Sequence, residues 1–67
     1  MNSFGEILKG LRTQKELGQV ELAQKLGVSK GIISLWENNL REPSLTNIKN
    51  LAMFFGVTSD YLIGLEE

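Results

Sequence analysis

Apolar residues recur along this chain three and four positions apart, in short runs separated by glycine, asparagine or proline. That period belongs to one face of an α-helix; a half-buried strand would alternate every second residue. No stretch of strand length alternates, and β-branched residues do not cluster. The first run opens with Ser3-Phe4-Gly5-Glu6, the pattern of a capping box. Phe4, Leu8, Leu11 and Lys15 follow at helical spacing with Ile7 beside them, and the helix is expected to end near Glu16. Gly10 in its middle costs ~1 kcal/mol relative to alanine. Gly18 breaks the chain, and a second helix is expected from about Gln19 to Leu26, burying Val20, Leu22, Ala23 and Leu26. Gly27 suits the left-handed residue that closes a helix. Ser29 is the N-cap of a third helix, about Lys30 to Asn38, and Asn39 tolerates the left-handed conformation after it. A loop from Leu40 to Pro43 leads to Ser44, which caps a fourth helix with the apolar stripe Leu45, Ile48, Leu51, Ala52 and Phe55. Gly56 ends it. Thr58 starts a short fifth helix, Ser59 to Ile63, stopped by Gly64. The expected fold class is all-α: a compact bundle of five short helices in a single domain, 1–67, without repeat, linker or low-complexity segment.

Composition narrows the function. The chain has 67 residues, and a domain of that size buries only about 60% of the surface its unfolded chain exposes. It leaves no room for a deep catalytic cleft. Without cysteine there is no disulfide or thiolate metal site; without histidine the commonest general base and metal ligand are missing. The eight carboxylates have no metal cluster or phosphate-cradling loop to work with. We therefore expect no enzyme, no cofactor and no evident small-molecule ligand. No apolar run approaches the ~20 residues of a membrane span. The first ten residues carry Glu6 and Lys9, so they do not read as a signal peptide. The expected compartment is the cytoplasm. Net charge is −1, which by itself argues against nucleic acid, but its distribution is uneven. All seven basic residues lie within 1–49, which is net +2, whereas Asp60, Glu66 and Glu67 make the tail net −3. Such a body can still meet phosphate.

The segments Gln19-Val20-Glu21-Leu22-Ala23-Gln24-Lys25-Leu26-Gly27-Val28-Ser29, Ile33-Ser34-Leu35-Trp36-Glu37-Asn38 and Arg41-Glu42-Pro43-Ser44 carry the most information. Together they resemble the helix-turn-helix family of the lambdoid phage repressors and Cro, also called the XRE family. Leu8-Lys9-Gly10-Leu11-Arg12 before them, and Leu51-Ala52 and Gly56-Val57 after, extend the resemblance over nearly the whole chain. It implies a lambda-repressor-like fold with the motif at about 19–38. Ala23, Val28 and Ile33 would then pack the two helices together, with Gly27 making the turn between them.

The resemblance also implies a function, double-stranded DNA binding in transcription regulation, most simply repression. In this motif the second helix lies in the major groove with its N-terminal residues against the bases. Here that recognition helix is Lys30 to Asn38, and Lys30, Gly31, Ile32 and Leu35 are its groove-facing positions. Lys30 suits guanine O6 or N7; Leu35 and Ile32 suit thymine methyls. Gln19, opening the preceding helix, falls where the family clamps a phosphate, and a helix N-terminus favours an anion in any case. Ser29, Asn38 and Arg41 match further backbone-contact positions. Arg12 and Glu37 match a structural ion pair tying the first helix to the end of the third.

The sequence also departs from the family pattern. Gly31, Ile32 and Leu35 stand where polar residues are frequent, which leaves a second reading: a protein-interaction module using the apolar face of the third helix. Gly18 replaces the usual serine or threonine cap, at a cost of only a few tenths of a kcal/mol. Ile7, Met53 and Phe54 are apolar where the family is more often polar or small, which hints at an interface. One recognition helix of this length spans only ~13 Å, so useful specificity needs two half-sites and hence a homodimer on a pseudo-palindromic operator. Tyr61, Leu62, Ile63 and Leu65, with Phe54 and Leu40 beside them, offer its interface.

Overall fold

The computed structural model describes residues 3–66; Met1, Asn2 and Glu67, the ends of the expected 1–67 domain, lie outside the described residues. The elements are α1 (Phe4–Gln14), α2 (Gln19–Leu26), α3 (Lys30–Glu37), α4 (Leu45–Phe55) and α5 (Ser59–Leu62). Every regular element among the described residues is helical.

Each helix starts from a local device. Ser3, Ser29, Ser44 and Thr58 each accept a hydrogen bond on the side-chain oxygen from the backbone N–H three residues on. At α2 the cap residue is Gly18, and here the Glu21 carboxylate accepts from the Gly18 N–H at 2.9 Å. All five helices also end alike. A left-handed residue follows the last turn: Glu16, Gly27, Asn39, Gly56 and Gly64. The next N–H reaches back five residues, as in Leu17 to the Arg12 carbonyl (3.2 Å) and Leu40 to the Leu35 carbonyl (2.9 Å). This is the Schellman ending, which satisfies carbonyls that the helix leaves open. The end of α1 differs from expectation. The positive φ (56°) falls on Glu16, while Gly18 has an ordinary extended backbone (φ −79°, ψ 167°).

Leu8, Leu22, Ile33, Trp36, Leu51 and Leu62 are fully buried, with Ile7, Ala23 and Ala52 beside them. Phe4, Leu11, Leu17, Leu26, Val28, Ile32, Ile48, Phe54, Phe55 and Val57 close the rim of this core. Three expectations about burial fail. Val20 is 53% exposed because the wall of α2 that meets the core is Leu22, Ala23 and Leu26. Leu45 heads the α4 stripe but is exposed, since the core begins one turn later at Ile48. Leu62 is 0% exposed. It closes the core of the monomer and is thereby removed from the expected dimer surface.

One contact had no counterpart in the sequence reading. Gly5 is buried where the first turn of α1 crosses the end of α3. A Cβ there would lie 2.5 Å from the Glu37 carbonyl oxygen and 2.6 Å from that of Trp36. Asn39 seals the crossing: its Oδ1 accepts from the Gly5 N–H (3.0 Å) and its Nδ2 donates to Ser3 Oγ (3.0 Å). The first turn of α1 is thus capped twice, once by its own Ser3 and once by the residue that ends α3.

Candidate nucleic-acid interface

α3 turns Ile33, Trp36 and Glu37 inward, at the i, i+3, i+4 spacing of one helix face. Its opposite face therefore carries Gly31, Ser34 and Leu35, while Lys30, three residues before Ile33, sits at the exposed N-terminal end of the helix. Lys30 and Gly31 are exposed, and Ser34 and Leu35 are half-buried. Ile32 is half-buried and packs against the core. Its side chain is partly spent on the fold, so Leu35 carries most of the apolar character expected on the outer face. Ser34 belongs to that face as well and was not among the expected contacts. Its place one turn after Gly31 is the signal that could have found it.

The expected phosphate residues fall at both ends of this helix. Ser29 is exposed at the start, with Oγ accepting from the Ile32 N–H at 3.2 Å. At the far end Gln19, the first residue of α2, donates from Nε2 to Glu37 Oε1 at 3.1 Å. That bond brings the start of α2 beside the end of α3, where Asn38 is exposed. Asn38 Nδ2 donates to the Ser34 carbonyl at 2.9 Å, which fixes the amide along the helix. Ser29 and Asn38 are nine residues apart, ~13 Å along a helix axis, close to the ~12 Å width of the major groove. Arg41 is not brought into this group. It is exposed in the loop after α3 and lines a separate concavity with Phe4, Asn39, Glu42, Pro43, Ile48 and Ile63.

Behind the far end lies a charged cluster. Arg12 Nε donates to Glu37 Oε2 (2.6 Å) and Nη2 to Oε1 (3.0 Å), while Nη1 donates to the Leu17 carbonyl (2.8 Å). The side chains are 11% and 3% exposed. The hydrogen bonds that it donates to Glu37 hold the guanidinium pKa above its ordinary value, against the opposing effect of burial. Glu37 thus accepts from Arg12 and from Gln19 together. Among the described residues no buried side-chain nitrogen or oxygen lacks a partner. One carboxylate ties α1 and α2 to α3, and Arg12 adds the α1–α2 turn through Leu17.

The residues expected at a dimer interface separate into three places. Tyr61, Ile63 and Leu65 are exposed, Leu62 is in the core, and Phe54 lines a different concavity with Lys25, Leu26, Asn50 and Met53. Ile63 and Phe54 do not share a groove, because Ile48 and Phe54 sit six residues apart on α4 and point to different sides.

Comparison with known proteins places this geometry. A helix-turn-helix family model matches residues 8–62. The chain is 44% identical over 64 residues to the HTH-type transcriptional activator BcrR of Enterococcus faecalis, covering 96% of this chain and 31% of that protein. It is 31% identical over 64 residues to the cryptic phage CTXphi transcriptional repressor RstR of Vibrio cholerae, covering 96% of this chain and 58% of that protein. The chain therefore spans between about a third and three fifths of these relatives. Its structure superposes on that of the P22 c2 repressor in complex with a synthetic operator, with a TM-score of 0.91 at 29% identity, over 98% of this chain and 100% of the other. The arrangement of α2 against α3, the family match and the repressor likeness agree: the chain belongs to the helix-turn-helix family, in its phage-repressor (XRE) branch.

Proposed function

We propose that this chain is a sequence-specific, double-stranded DNA-binding regulator of transcription in the cytoplasm, repressing by occupying a pseudo-palindromic operator as a homodimer. The observation that carries the proposal is the layout of α3. Ser29 and the exposed Lys30 stand at one end, Gln19 and Asn38 at the other, and Gly31, Ser34 and Leu35 lie on the open face between them. Anchors at both ends would hold the helix to phosphates on either side of the groove while the open face meets base edges. The P22 c2 likeness supports this reading, since that repressor's structure contains an operator.

The roles follow from donor chemistry. Lys30 reads a guanine edge. Gln19 keeps one amide hydrogen free after serving Glu37, and its backbone N–H opens a helix; both favour a phosphate oxygen. Arg41 approaches the backbone from its loop. Dimerisation follows from size. The described residues extend 28 × 23 × 21 Å, less than the ~34 Å between successive half-sites on one face of DNA. One chain reads one half-site.

The test is a gel-shift comparison on an operator selected from random duplex and on scrambled DNA. Lys30→Ala should weaken operator binding by ~1–3 kcal/mol and relax preference at one position, with scrambled DNA unaffected. Gln19→Ala should weaken both alike. Equal loss on both duplexes for Lys30→Ala would overturn its base-reading role. No binding to any duplex would return the chain to the protein-interaction reading.

A further inference from the structure

The second concavity is lined by none of the residues assigned above to DNA. It is an open cleft of about 370 Å³ between the last turn of α2 and the second half of α4, lined by Lys25, Leu26, Asn50, Met53 and Phe54. Its apolar part is Leu26 and Phe54, both half-buried, with Met53, 81% exposed, standing at the edge. Its rim is basic. Lys25 lines one wall, and Lys15, at the end of α1, places Nζ 5.8 Å from the centre of the Phe54 ring. Lys49 stands one turn before Met53 on α4 and is exposed. The acidic neighbours do little to balance this. Glu21, one turn before Lys25, has its carboxylate on the Gly18 N–H, leaving the exposed Glu16 beside Lys15.

We propose that this cleft docks an acidic amphipathic helix of a partner protein. Leu26, Met53 and Phe54 would receive its apolar stripe, and Lys15, Lys25 and Lys49 would pair with carboxylates on either side. An exposed methionine at the edge suits such a groove, because the unbranched thioether adapts to the side chain it meets. Charge decides against a second copy. A two-fold interface sets a patch against itself, so the lysines would face lysines. The cleft shares no residue with the proposed DNA contacts, and the proposal is that partner and operator are held together.

The experiment is a 15N–1H amide titration of the whole chain, free and operator-bound, with a synthetic helix of about 18 residues, five turns, built from leucine and glutamate. A comparator peptide carries lysine at every glutamate position. Shifts should centre on Lys15, Lys25, Leu26, Asn50, Met53 and Phe54 for the acidic peptide alone, and should persist with operator bound. Met53→Glu should weaken binding roughly tenfold or more. The double variant Lys15→Glu/Lys25→Glu should lose the acidic peptide and accept the lysine one. All three positions are exposed, and thermal melts check that the variants fold. No shifts at millimolar peptide, equal response to both peptides, or shifts centred elsewhere would overturn the proposal. So would self-association abolished by Met53→Glu, which would give the cleft to a second copy. Operator alone shifting Lys15 and Lys25 would also overturn it, by assigning them to phosphate.

Discussion

Gly5 and Gly10 stand in one helix and do opposite things. Gly10 is exposed, with nothing within 4 Å of where a Cβ would be. Gly10→Ala should stabilise the fold by ~1 kcal/mol through helix propensity alone. A Cβ on Gly5 would meet carbonyl atoms of Trp36 and Glu37 at 2.5–2.8 Å. Backbone gives way poorly, so Gly5→Ala should cost about 2–3 kcal/mol, the upper part of the range for overpacking. Urea denaturation of the two variants checks both signs. Two glycines of equal appearance in the sequence would then differ in effect by about 3–4 kcal/mol. The Arg12–Glu37 pair is a second residue-scale case. Glu37→Ala strands a guanidinium that is only 11% exposed and should cost about 3 kcal/mol. Arg12→Met with Glu37→Met removes both charges and should be less destabilised than Glu37→Ala. A double variant no more stable than the single one would mean that the pair's net interaction, not the stranded charge, sets the cost. Gln19 loses its acceptor in either variant, so DNA affinity should fall in both even where stability recovers.

At the scale of elements, what could be read from the sequence was whatever a few neighbouring residues decide. The helix starts at Ser3, Ser29, Ser44 and Thr58 and the turns at Gly27, Gly56 and Gly64 depend on groups within five residues, and those types announce themselves. Glu16 did not, because the left-handed position went to a residue that seldom takes it while a glycine stood two places on. Gly5 and Asn39 were illegible for another reason. Their partnership spans 34 residues and exists only once α1 lies across α3. Val20 failed because helical period gives a stripe but not its edges. For the candidate site, the pattern singled out α3 and most of its outer face. It did not show that Ile32 is partly buried by the neighbouring helices, or that Ser34 shares the outer face. Gly31 allows this assignment to be tested. Its nearest neighbour to a Cβ would be Ser29 Oγ at 3.8 Å, an ordinary contact, so the fold does not require glycine there. Gly31→Ala should leave the fold unchanged or up to ~1 kcal/mol more stable. If the open face of α3 lies against bases, the same change should weaken operator binding several-fold. Melting curves and gel shifts on one protein sample read both effects. Tighter or unchanged binding would place this face away from DNA. Uracil in place of thymine at the operator positions nearest Leu35 isolates its methyl contact; unchanged affinity there would remove Leu35 from the readout.

At the scale of the molecule, the proposed homodimer requires a surface on which two chains meet. The core takes Leu62, and Phe54 faces the cleft beside Lys25, so the candidate surface contracts to the α5 end and the concavity beside it. Phe4, Pro43, Ile48 and Ile63 give that concavity of about 350 Å³ an apolar lining, with Arg41 and Glu42 among its walls. Exposed Leu40, Tyr61 and Leu65 are large apolar side chains that a second copy could bring to it. Unlike the lysine-rimmed cleft, this surface carries both Arg41 and Glu42, so a two-fold axis does not set one sign of charge against itself. The patch is small, and specific interfaces that persist alone bury about 1,200 Å² or more. The expected behaviour is therefore a monomer that dimerises on DNA, where two half-sites hold the copies at high effective concentration. Sedimentation should give one chain free in solution and two on a duplex carrying both half-sites. Ile63→Glu places an unpaired carboxylate in the contact and should convert cooperative filling of the two half-sites into independent filling. Affinity for a single half-site should be unchanged. A strict one-to-one complex of the unmodified chain on the two-half-site duplex would show that this surface does not dimerise.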